Sequence, residues 1–108
     1  DFTPLEYGSL WAILEGRSWD VGEHQLEHVG TIEDGENWLE RFPQKLVELL
    51  AAMSDQKLSE TAKAWGQTEE LDYDEQRLVP ILHDLRKLAQ AAIEKRQSMH
   101  LWGSFLGE

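Results

Sequence analysis

Apolar residues recur at three- and four-residue steps through three stretches of the chain, and that spacing predicts helices. The strongest run goes from Leu78 through Ile81, Leu82, Leu85, Leu88, Ala89 and Ala92 to Ile93. Leu46, Val47, Leu49, Leu50 and Met53 make a second face, and Leu58, Ala62 and Trp65 a third. Helices over 43–53, 55–70 and 75–96 follow. Pro43 stands where the first of these would start, Ser54 and Asp55 are cap candidates for the second, and Asp72 or Asp74 starts the third. Gly66 weakens the second helix without having to end it. Pro80 falls where a proline removes a backbone donor, so the last helix begins near Val79 or kinks there, and a kink or a short preceding turn is favoured.

A further helix is expected from Thr3, an N-cap candidate followed by Pro4 and, at the capping-box position, Glu6. Leu5, Leu10, Trp11, Ile13 and Leu14 give it an apolar face, and Gly16 reads as its stop. Between Gly22 and Gly30 the stretch EHQLEHV has weak periodicity, so 17–33 is expected to be a loop with a short helix. Asp34 precedes GENWLERF, read as a short helix that turns Trp38, Leu39 and Phe42 inward. After Ser98, MHLWGSFLG alternates loosely, as a short strand or an extended tail would. A strand there needs a partner from the 17–33 region or from a second copy, which would make a homodimer. The expected fold is one all-α domain over 1–108, a compact bundle of four or five helices with a short extended C-terminal segment.

Composition narrows the classes. The chain's 108 residues suit one domain, and 41% apolar residues with five tryptophans are too many for a disordered acidic tail. The absence of cysteine removes thiol chemistry, Cys-based zinc sites and disulfides. No run of about 18 apolar residues occurs and no basic segment precedes a short apolar one, so neither a membrane span nor a signal is expected and the reading is cytoplasmic. The net charge of -11, from 21 acidic and 10 basic side chains, repels phosphate backbones and anionic lipid. Nucleic acid and membrane are therefore disfavoured as partners, and basic protein surfaces are favoured. The charge is uneven: residues 1–40 hold ten carboxylates against Arg17 alone, and 67–76 hold five with no base.

Several residues could carry chemistry. His24 and His28 have the i, i+4 spacing that brings two imidazoles onto one helix face, as zinc sites require, with Glu33 or Asp34 as a third ligand. The competing reading is an exposed polar surface. Glu69, Glu70, Asp72, Asp74 and Glu75 crowd into TEELDYDE, and hard cations need several oxygens at once. Helical nucleotide pyrophosphohydrolases of the MazG type pair a Glu-Glu doublet with a later Glu-x-x-Asp. Glu69-Glu70 matches the doublet and nothing after it matches the second half. Otherwise Asp72 and Asp74 are helix caps and the doublet is solvated. His83 sits at the edge of an apolar stripe, where a structural role outweighs catalysis. No activated serine and no Gly-rich phosphate loop is present, so no cofactor is expected. Trp11, Trp38 and Trp65 lie in apolar patterns and read as core. Trp19 and Trp102 fall in irregular, glycine-flanked stretches, as lids or interface anchors do.

The stretch AKAWGQTEEL (62–71), the amphipathic helix after it and LWGSFL (101–106) resemble small acidic bacterial proteins that place a Trp shortly before Thr-Glu-Glu and finish on a Leu-Trp step. The resemblance implies a bacterial cytoplasmic origin and brings no reaction with it. From the residues, the leading function is a non-enzymatic binding protein that docks a basic protein partner, as an inhibitor, immunity or adaptor protein does. Its interface candidates are Trp19, Trp102, Glu69, Glu70, Asp72 and Asp74. The alternative is a metal-dependent hydrolase of a phosphorylated small molecule.

Overall fold

The computed structural model describes residues 3–20, 22–32, 37–68, 71 and 73–104, with 31, 32, 37 and 102–104 described in backbone only. Its order is α1 (Pro4–Glu15), β1 (Glu27–Ile32), β2 (Asn37–Arg41), α2 (Gln44–Ala51), α3 (Asp55–Gly66), α4 (Glu75–Lys95) and β3 (His100–Ser104). The three strands form one antiparallel sheet in the order β1-β2-β3. The all-α expectation is therefore wrong: the fold is a helix-dominated α/β architecture.

The helices start and stop where local chemistry directs. Thr3 donates its backbone N–H to Glu6 Oε1 at 3.3 Å, and Gly16 closes α1 in the left-handed conformation at φ 70°. Ser54 Oγ accepts from the Lys57 N–H at 3.0 Å, and Asp74 Oδ1 from the Gln76 N–H at 3.0 Å, satisfying donors that the first turns of α3 and α4 leave free. Pro80 lies within α4, which starts at Glu75 and not near Val79. The ring deprives the Gln76 carbonyl of its helical donor, and both residues are exposed, so water can replace it.

The core closes around Leu46, Val47 and Leu50 of α2, Leu58, Ala62 and Trp65 of α3, and Leu78, Leu82, Leu85, Ala89 and Ala92 of α4. The α4 stripe is narrower than its apolar content, because Leu88, at 58% exposure, and Ile93 face outward. Trp65 is fully buried and donates Nε1–H to the Glu6 carbonyl at 2.9 Å, tying α3 to α1. Tyr7 stacks obliquely on Phe42 and Trp65, and burial first, then Glu6, pushes its phenol up to about 12. From α4, Arg86 Nη1 donates to the Met53 carbonyl and Gln90 Nε2 to the Ala51 carbonyl, both at 3.1 Å. These bonds satisfy acceptors freed where α2 ends.

α3 stops at Gly66, short of the expected 70, because the chain folds back onto it. The Tyr73 N–H donates to the Gly66 carbonyl at 2.9 Å, and a Cβ on Gly66 would lie 2.4 Å from the Tyr73 carbonyl.

The sheet corrects three expectations. GENWLERF contributes β2, not a helix, and the 17–33 loop contributes β1. β3 is a strand, and it pairs with β2 and not with the 17–33 region. As a helix, Trp38 and Phe42 would share a face; as a strand, Trp38 and Glu40 alternate with Leu39 and Arg41, and Phe42 follows into the core. Short apolar runs fit both periods, and partners from distant segments decide between them. Leu39 faces Gly30 on one side and Trp102 on the other, and one extra residue, Val29, makes a bulge in β1. Among the described side chains of the strands none is fully buried. Instead Leu26, Phe42 and Met99, at the root of the sheet, plug into the helical core. The radius of gyration is 13.7 Å, close to the roughly 13 Å of a compact chain this long.

Gly66→Ala should lower unfolding stability by about 1–3 kcal/mol, the usual cost of overpacking against backbone that cannot retreat. Urea denaturation measures this, and an unchanged midpoint would contradict the close approach of Tyr73.

Candidate functional site

The site is built at the acidic N-terminal end, where the turn after α1 doubles back over that helix. Gly8 makes this possible. A Cβ there would meet the His24 carbonyl at 2.4 Å and Trp19 Nε1 at 3.2 Å, so only glycine lets the His24 backbone lie so close.

His24 fastens the turn. Its ring is buried, edge-on to Trp11 with centroids 5.3 Å apart. Nδ1 accepts from the Asp20 N–H at 2.9 Å, and Nε2 lies 3.0 Å from Glu15 Oε1. Because Nδ1 faces a donor, the proton sits on Nε2 and is donated to the carboxylate. Glu15 also meets Arg17 Nη1 at 3.2 Å and Lys45 Nζ at 3.1 Å, and Arg17 reaches on to Glu23 at 2.5 Å. The His24 bond leads in holding the Glu15 carboxyl at about 2, below its ordinary 4.5. Burial opposes this shift, and Lys45 and Arg17 reinforce it.

The proposed His24/His28 pair does not assemble. With no helix over 24–28 the two rings share no helical face, and His28 lies on β1, largely exposed, bonded through Nδ1 to Glu40. Both nitrogens of His24 are already engaged, and Glu33 and Asp34 lie outside the described residues. Glu15, Glu23 and His24 do bring ligand atoms within 4.8 Å of one another. Arg17 spans the two carboxylates of this group, so the positive charge that a metal would supply is already furnished by protein.

Beside His24 opens a pocket of about 220 Å³ lined by Pro4, Leu5, Trp19, His24, Gln25, Leu26 and Glu40. Leu5 and Trp19 are 46% and 39% exposed, while the Glu40 side chain at its wall is only 13% exposed. Trp19, expected as a lid or an anchor, thus takes part in a concave apolar surface. Trp102 is placed on β3 opposite Leu39, in backbone only. Glu69, Glu70 and Asp72 fall outside the described residues. Asp74 caps α4, the simpler of its two readings, and His83 is exposed, its Nδ1 beside Arg86 Nη2 at 3.1 Å.

Sequence reasoning missed Glu15, Leu5 and Glu40. Glu15 had a signal: a carboxylate in the last turn of a helix opposes the helix dipole and needs compensation from elsewhere. Glu40 was hidden by the helical reading of its segment, and Leu5 by its place in an apolar pattern. No known protein family matches the chain, and neither does any curated protein or solved structure.

Two outcomes check this arrangement. Gly8→Ala should destabilise the fold by about 1–3 kcal/mol and raise the solvent accessibility of Trp19, read from the hydrogen-exchange rate of its indole N–H by NMR. The second concerns acid. Since the folded Glu15 carboxyl titrates below its unfolded value, its contribution is complete above about pH 4.5 and disappears as pH falls through about 2. Glu15→Gln should flatten the melting-temperature profile in that window; an identical acid slope in both proteins would show that the cluster contributes nothing.

Proposed function

We propose that this protein is a non-enzymatic binding module that docks a basic protein partner through its acidic N-terminal end. The observation that carries the reading is the Leu5–Trp19 pocket, an apolar opening lined from the stretch 1–40 that holds ten carboxylates against one arginine. Partly exposed tryptophan in a concavity is typical of binding hot spots, and surrounding charge selects the sign of the partner. The fixed turn beneath the pocket supports the same reading, because a surface that is already ordered loses less entropy when it binds. Of the acids proposed as metal ligands for a hydrolase, Asp74 engages Oδ1 as the α4 N-cap, and Glu69, Glu70 and Asp72 lie outside the described residues.

Association should be strongly salt-dependent. Raising ionic strength from about 0.05 to 0.5 M shortens the screening length from over 10 Å to about 4 Å and should slow the association rate more than it speeds dissociation. Low-salt affinity capture, followed by stopped-flow binding of the purified partner, measures both. A partner bound with a salt-independent association rate, or one that is itself acidic, would overturn the reading.

A further inference from the structure

Resting on that reading, we infer that the Trp19 pocket receives one arginine side chain of the partner, with its methylene stem against Leu5 and Leu26, and its guanidinium between the Trp19 indole and the Glu40 carboxylate.

Size is the first argument. Pockets for drug-sized ligands span roughly 300–1,000 Å³. At about 220 Å³ this one suits a single long side chain. Its walls are the second: Pro4, Leu5 and Leu26 supply apolar surface, and Trp19 an aromatic ring that remains partly open.

Charge is the third and decides the chemistry. The described cations that form ion pairs at this end are committed elsewhere: Arg17 to Glu15 and Glu23, Lys45 to Glu15, and Arg41 Nε to Glu27 at 2.7 Å. Among the described residues Glu40 meets no lysine or arginine; its one ion-pair partner is His28, through Oε2. A mostly enclosed carboxylate therefore borders an apolar pocket with Oε1 outside any described hydrogen bond. A guanidinium satisfies both features, because its planar face stacks on indole and its fork donates to carboxylate oxygen. Lysine offers a compact, strongly hydrated ammonium that gains less from the ring.

The test uses capped pentapeptides with a central arginine, lysine or citrulline, the last being arginine's uncharged isostere. Each is titrated into the whole protein and followed through the Trp19 indole N–H and Leu5 methyl resonances. The arginine peptide should shift both, with the lysine peptide several-fold weaker and citrulline at least tenfold weaker. Glu40→Gln and Trp19→Ala should each weaken arginine binding about tenfold, read from the Leu5 methyl resonances of variants whose amide spectra remain those of the folded protein. Leu88→Ala, an exposed position of α4 outside the pocket lining, should leave the binding alone. Equal binding of arginine and citrulline, or full affinity in both pocket variants, overturns the assignment. Arginine-peptide shifts confined to carboxylates away from Trp19 overturn the pocket while leaving a basic partner in place. Absence of any shift with the arginine peptide overturns the pocket too, and salt-sensitive capture of a basic protein then decides the wider reading separately.

Discussion

The buried imidazole of His24 is the joint between the two halves of the architecture. It takes a hydrogen bond from the Asp20 backbone on one nitrogen and gives one to Glu15 on the other, with Trp11 against its ring. A buried polar ring is costly unless both nitrogens are satisfied, and here they are. The bonds fix the turn to the end of α1, and the turn fixes where β1 departs. The carbonyl of the same residue occupies the space that Gly8 leaves empty, so one side chain and one missing side chain together hold the pocket's floor.

Around that joint the charge is arranged in two ways. Glu15 sits in a closed network with Arg17, Lys45 and Glu23, which brings a carboxylate out of water without leaving it uncompensated. Glu40 lies at the pocket wall with an exposed histidine as its ion-pair partner. The first arrangement closes on itself and the second borders the pocket, a distinction that total charge does not reveal. Both carboxylates lie in the same acid-rich stretch of sequence, and only their neighbours in space separate them.

The helices and the sheet draw stability from different sources. The helices bury stripes against one another, and the largest buried residue, Trp65, also anchors α1 by a hydrogen bond. None of the strands' described side chains is fully buried, although Leu101 packs in part against the core. The strands are held by cross-strand pairing and by the three apolar residues at their root. A sheet held in this way presents much of its surface to solvent and gives the molecule its elongated outline of 43 × 33 × 25 Å.

The residue pattern alone determined the four helices, most of their ends and the core stripes of α2, α3 and α4. Capping and 3.6-residue periodicity act within one or two turns, so they can be read from neighbours in sequence. It did not determine the sheet. Trp38, Leu39 and Phe42 fit either period, and the choice fell to backbone partners roughly sixty or more residues away, Asn37 with Ser104 being the most distant pair. A local signal was present in the β-branched Val29, Thr31 and Ile32 and in the Asp34-Gly35 dipeptide favoured in tight hairpins. The site followed the same division. Trp19 stood out by its irregular surroundings, whereas Glu15, Glu40 and Leu5 gained their roles only when α1, the turn and β2 met. Contacts between distant segments depend on which faces the whole chain can bury together, and only the tertiary structure decides that.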